Sequence, residues 1–144
     1  MLTFKLASHK DLYFLMRIRN ENKESFLDNR VIDFMSHCNW FTSLSSNDYV
    51  YIIYVDDDRI GTISLIKNNG GATLGRFIID KNYRNKGFGT MAIEEFKSLC
   101  KMHNLSYICL EVKSDNTEAI SLYKKCGFET VNDCDNTIIM RIDI

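Results

Sequence analysis

Between Asp80 and Thr90 the cations Arg84 and Lys86 run into Gly87, Phe88, Gly89 and Thr90. Before this run lie Phe77, Ile78 and Ile79, the composition of a buried strand. After it Ala92, Phe96, Leu99 and Cys100 recur at helical spacing. A strand that turns through glycines into a helix points several backbone N–H groups at one place. The helix macrodipole adds partial positive charge there, and Arg84 and Lys86 add full charges. The chemistry expected of Arg84, Asn85, Lys86, Gly87, Phe88, Gly89 and Thr90 is therefore the binding of a phosphate or pyrophosphate. Two other phosphate loops fit poorly. No Lys-Ser/Thr pair follows the glycines, as a P-loop requires, and the three glycines of a dinucleotide fingerprint are not in place.

Other chemistry is harder to support. Cys38, Cys100, Cys109, Cys126 and Cys134 are odd in number and contain no Cys-x-x-Cys pair, so they read as reduced thiols and not as zinc ligands. Asp56, Asp57 and Asp58 read as a solvated turn, since no further ligands follow at calcium-loop spacing. No metal site is expected. The net charge of −1 gives no reason to expect a nucleic-acid partner, and no apolar run approaches the roughly 18 residues of a membrane helix. Met1 to Phe4 reads as the start of a strand and not as an export signal, so a cytoplasmic protein is the expectation. A chain of 144 residues is one domain's worth.

The elements that position the loop follow in order. Leu2–Leu6 alternates as a strand. Ser8 and Asp11 form a helix start, and Leu12, Leu15, Met16 and Arg19 share the face of a helix ending near Asn20. Residues 20–33 read mostly as loop, and a second helix from about Asp33 carries Phe34, His37, Cys38 and Phe41. Tyr49–Val55, Arg59–Lys67 and Leu74–Ile79 form an antiparallel meander, with Asn68 to Gly71 as a hairpin turn. The helix after Gly87 ends near His103. Leu105–Val112 must then run parallel to Leu74–Ile79, because a helix joins them. Asp115 is expected to cap a helix with Ala119, Leu122, Tyr123 and Cys126 buried, ending at Gly127. Glu129–Asp133 and Thr137–Ile142 form a last strand pair. The order β-α-α-β-β-β-α-β-α-β-β predicts an α/β fold with a mixed sheet and helices on its faces.

Two stretches at this separation, in this element order, resemble the GCN5-related N-acetyltransferase (GNAT) family. The first is Asp80 to Gly89. The second is Leu110 to Asn116, followed by Ala119, Leu122, Tyr123, Gly127 and Phe128. The likeness covers nearly the whole chain. Lys81 stands where the family often has proline, and Asn85 where glycine or arginine is common. Neither departure removes the amides or the cations.

The resemblance implies a fold in which the two parallel strands diverge and acetyl-CoA enters the gap. The pantetheine arm would lie along Phe77, Ile78 and Ile79, and the pyrophosphate on the amides from Arg84 to Gly89. Asn116 is similar to the family's cofactor-contacting asparagine. Glu111 would accept the amine's proton, and Tyr123 would donate one to the departing sulfur. Two other readings stand beside these: a surface ion pair for Glu111 and a packed core residue for Tyr123.

The family's acceptor wall would include Arg19, Asn20, His37, Trp40 and Phe41. His37 also reads as a packed helix residue, and Trp40 and Phe41 as core. The expected function is acetyl transfer, in a ternary complex, to a primary amine of a small molecule, with an amino sugar on a nucleotide carrier as the candidate. An N-terminal or ribosomal-protein acetyltransferase, with Glu21, Glu24 and Asp28 facing a peptide, is one alternative. A non-catalytic acyl-CoA-binding module is the other. A monomer or homodimer is expected.

Overall fold

Asn69 and Gly70 both adopt positive φ, which twists a two-residue turn to match the strands it joins. That turn connects β3 (Asp58–Asn68) to β4 (Gly71–Ile79), and a turn at Asp56 and Asp57 connects β2 (Asp48–Val55) to β3. The expected meander is present, with β1 (Leu2–Leu6) antiparallel to β2 on its outer side. The computed structural model describes residues 1–144.

The helices are α1 (Leu12–Glu21), α2 (Phe34–Thr42), α3 (Phe88–Met102) and α4 (Thr117–Lys125). The later strands are β5 (Tyr107–Lys113), β6 (Glu129–Cys134) and β7 (Thr137–Asp143). The element order is the one anticipated. The sheet order is β1-β2-β3-β4-β5-β7-β6, so the last strand in sequence is inserted beside β5 and β6 becomes an edge.

Alternation along β2 divides the core between two faces. Tyr51 and Ile53 join the larger cluster with Ile93, Phe96, Ile108 and Leu110, beneath α3. Val50 and Ile52 join a smaller cluster with Leu12 and Leu15 of α1, against which Cys38 and Phe41 of α2 pack. Phe96 is fully buried, and burial of one such side chain contributes roughly 1.5–3 kcal/mol. All five cysteines are free. No helix is long and apolar enough to cross a membrane.

β4 carries an irregularity that the sequence pattern does not announce. Thr62 pairs with Ile78 but Ser64 pairs with Gly75, so β4 spends one residue more than β3 over that interval. The bulge is marked by Arg76, a non-glycine residue at φ 43°. Gly61, paired with Ile79, sits beside it. A Cβ at Gly61 would stand 2.2 Å from the Ile78 carbonyl oxygen, so only glycine admits this close strand approach.

Candidate active site

β4 and β5 pair only at Ala72 with Ile108 and at Thr73 with Cys109. Beyond those two rungs β5 stays paired with β7 as far as Lys113, and β4 stays paired with β3 as far as Ile79. The two parallel strands therefore part, and a cleft of about 1160 Å³ opens between them. Phe77, Ile78 and Ile79 line it from β4, and Glu111, Val112 and Lys113 from β5.

The start of α3 closes one end. Asn85 and Gly87 have φ of 60° and 83°, a backbone region open to glycine and tolerated by asparagine. This explains how Asn85 serves where a glycine would be expected. No side chain caps α3, so the amides of Phe88, Gly89 and Thr90 keep their donors free at the positive end of the helix dipole. All three residues line the cleft. A Cβ on Gly89 would lie 3.1 Å from Leu122, so glycine lets α3 approach α4 closely.

Arg84 Nε donates to the Ile79 carbonyl at 2.9 Å, and its guanidinium also reaches the Asn22 side chain. It thus ties the end of β4 to the end of α1 while remaining on the cleft wall. Lys86 is not on that wall; its ammonium lies 5.9 Å from the centre of the Tyr83 ring. The cap of α4 is Asn116 and not Asp115. The Asn116 amide donates to the Lys113 carbonyl at 3.0 Å, and this turn delivers residue 116 to the helix start. Its Oδ1 then accepts from the Ala119 amide at 3.2 Å, leaving the side-chain NH2 uncommitted toward the cleft.

Tyr123 is held by the end of α4. The Phe128 amide donates back to the Tyr123 carbonyl at 3.0 Å, and the Phe128 ring meets the Tyr123 ring edge-on at 5.7 Å. Phe77 of β4 lies 6.4 Å from the same ring. Tyr123 is buried yet lines the cleft, and burial pushes its phenol above the ordinary range. Glu111 is exposed on the same cleft.

The other wall comes from α1, α2 and residues 26–33. Here the expected acceptor residues divide. Arg19 is buried, and its guanidinium donates to the carbonyls of Asp28 and Arg30. Asn20 exchanges two hydrogen bonds with the backbone of Ile32, at 2.8 and 2.9 Å. Both side chains are therefore spent on shaping the loop, although Arg19 also reaches the cleft wall. His37 and Trp40 line the cleft with ring centres 4.9 Å apart. Phe41 does not; it turns toward His9, 5.6 Å away, in the smaller core cluster.

Of the three carboxylates expected to face a peptide amine, Glu24 makes no ion pair and the other two are paired. Glu21 pairs with Arg17 at 3.0 Å and Asp28 with Arg30 at 2.8 Å. One cleft residue escaped the sequence reading. Arg76 lines the cleft with its guanidinium 3.7 Å from the centre of the Trp40 ring. The only available signal was a lone arginine inside an otherwise apolar strand.

The Acetyltransferase (GNAT) family model matches residues 12–128. The chain belongs to the GNAT acetyltransferase family. An uncharacterized N-acetyltransferase, YobR, of Bacillus subtilis (strain 168) is 32% identical over 74 residues, which is 51% of this chain and 29% of that protein. A probable spermine N(1)-acetyltransferase of Bacillus subtilis subsp. natto is 36% identical over 62 residues, 42% of this chain and 41% of that protein. The chain thus matches less than half the length of either curated relative. The crystal structure of spermidine N-acetyltransferase from Vibrio cholerae, in complex with CoA and spermine, superposes with a TM-score of 0.86. It shares 21% identity, and the match covers 99% of this chain and 95% of that one. That likeness establishes the GNAT fold.

Within this GNAT domain His37 is an ionisable group shut off from solvent. It is fully buried, and neither ring nitrogen has a hydrogen-bond partner. Burial first, then the charges of Arg76 and Arg19, lower its pKa from 6.5 to about 4. Above pH 6.5 the ring is neutral folded or unfolded, and titration contributes nothing. Between pH 6.5 and 4 the unfolded chain takes up a proton that the folded chain refuses, so stability falls with pH. The loss between pH 7 and pH 5 is about 2 kcal/mol. Urea unfolding of wild type and His37→Leu at the two pH values checks this. The variant, which cannot titrate there, is expected to lose about 2 kcal/mol less on acidification than wild type. An identical pH response would remove His37 as the source.

Proposed function

We propose that the chain is an acetyl-CoA-dependent N-acetyltransferase acting on a primary amine of a small molecule by direct attack in a ternary complex. The observation that carries this reading is the convergence, on one cleft, of the parted edge of β4, the uncapped start of α3, and the side chains of Glu111 and Tyr123. A parted strand edge offers N–H and C=O groups that a ligand carrying amides can satisfy. The free amides of Phe88, Gly89 and Thr90 suit a pyrophosphate. The uncommitted amide of Asn116 adds a donor beside them.

Acetyl-CoA bound there supplies an electrophilic thioester carbonyl. The chain's own groups do the rest. Glu111 is open to solvent, so it takes the amine's proton through water. Tyr123 is directed at the departing sulfur. Complete proton transfer from a phenol held above 10 to a thiolate of pKa near 8.5 is uphill by at least about 2 kcal/mol. The productive role of Tyr123 is therefore a hydrogen bond to the sulfur as negative charge develops, strengthened by its dry surroundings. The committed state of Glu21 and Asp28 favours a small acceptor over a peptide. Trp40, although Arg76 already covers one of its faces, puts an aromatic surface on the cleft wall, and an amino sugar on a nucleotide carrier is the acceptor we favour.

Single-turnover release of free thiol from acetyl-CoA, with a pooled library of primary amines, tests the activity. Amine-dependent thiol release is expected. Tight CoA binding with no release in any pool would leave a non-catalytic acyl-CoA-binding module. Tyr123→Phe is expected to lower kcat by at least tenfold, since such catalysis contributes roughly 10²–10⁴-fold, with CoA affinity changed less than about twofold. Undiminished turnover would remove Tyr123 from the chemistry.

A further inference from the structure

Arg76 is the one cleft arginine whose hydrogen-bonding capacity is left over. Its guanidinium makes no ion pair and no hydrogen bond with any other side chain or carbonyl, whereas Arg19 is spent on Asp28 and Arg30, and Arg84 on Ile79 and Asn22. The planar group is nevertheless fixed, because it stacks on Trp40 at 3.7 Å. Its backbone is held at φ 43° in the β4 bulge, a conformation that a bulky side chain adopts only under constraint.

Its neighbours provide no counter-charge. Arg19 and neutral His37 are the titratable groups closest in influence, and both leave the local potential positive. Burial lowers the guanidinium's pKa to about 10, so it remains charged at neutral pH. A part-buried cation with five donors, aimed into a cleft and lacking an acid, suits an oxyanion brought in from outside. The anion of the carrier already has its own donors at the start of α3. Arg76 instead stacks on Trp40 of α2, beside His37, on the opposite wall.

We infer that Arg76, stacked on Trp40, receives a carboxylate or phosphate carried by the amine acceptor. This rests on the acetyltransferase reading for the identity of the acceptor, but not for the binding of the anion. The same geometry disfavours a polyamine, whose positive charges would meet Arg76 and Arg19, neither of which is ion-paired. It also selects within the small-amine class: amino acids, amino-sugar phosphates and nucleotide-linked amino sugars carry the required group, and simple alkylamines do not.

Trp40 is the chain's single tryptophan, so its fluorescence reports on this position. The test titrates CoA-saturated protein with matched pairs. Glucosamine 6-phosphate is set against glucosamine, and an amino acid against its amide; spermine serves as the anion-free polycation. The member of at least one pair that carries the phosphate or carboxylate is expected to shift Trp40 emission at a concentration at least tenfold lower than its anion-free partner. The phosphate pair and the carboxylate pair separate the two sources of the anion. In Arg76→Met that preference is expected to collapse toward one, and in Arg76→Lys to survive in part. Because wild type alone gives the pairwise comparison, a variant that fails to fold does not spoil the test. Equal responses within both pairs, or tighter binding of spermine, would overturn the inference. Selective anion binding with no acetyl transfer would leave this site intact and defeat the acetyltransferase reading instead.

Discussion

Two ladder rungs, Ala72 opposite Ile108 and Thr73 opposite Cys109, are all that join β4 to β5. Everything at the candidate site depends on why the ladder stops there. An interior strand edge left unpaired is costly, because each buried N–H or C=O without a partner forfeits free energy. The parting persists because each strand is anchored on its other side, while the groups that face the gap open into the cleft, where water or a ligand can reach them. β7 pairs β5 from Tyr107 to Lys113, and β3 holds β4 through Ile79 despite the bulge. Beneath both strands, Ile93, Phe96, Ile108 and Leu110 pack as one cluster, so they cannot simply slide back together.

The same geometry sets the electrostatics of the cleft. One end is the uncapped start of α3, with its free amides and partial positive charge. Facing α2, Arg76 of β4 and Arg19 of α1 add positive charge, and burial first, then their fields, lowers the pKa of His37. Nearby acids are mostly engaged: Asp80 with Arg17, Glu21 with Arg17, and Asp28 with Arg30. Glu111 is the carboxylate left facing the cleft from β5 without an ion pair. Asp33, Glu118 and the neutral phenol of Tyr123 line the same cleft, and the start of α3 together with the arginines leaves an excess of fixed positive character. Such a site favours substrates that bring negative charge with them.

The local parts of this arrangement were legible in the sequence. Hairpin chemistry at Asn69 and Gly70, the helical stripe of Ala92, Phe96 and Cys100, and the glycines at 87 and 89 each encode their structure within a few residues. The parts fixed by distant pairing were not. The bulge at Arg76 exists because of register against β3 and the close approach at Gly61, which no local pattern carries. The insertion of β7 beside β5 follows from a pairing choice between two similar strands. Trp40 and Phe41 are adjacent in sequence, yet successive helix residues point about 100° apart, so one reaches the cleft and the other the core. The cap expected at Asp115 falls instead at Asn116, because the turn from Lys113 delivers that residue to the helix start.

The central claim is that the unpaired edge of β4 and the start of α3 together grip the thioester carrier. Amide hydrogen exchange with and without CoA tests it most directly. Slower exchange at Phe77, Ile78 and Ile79, and at Phe88, Gly89 and Thr90, is the result this account predicts. Exchange left unchanged at both segments while CoA binds, or protection confined to another surface, would contradict it.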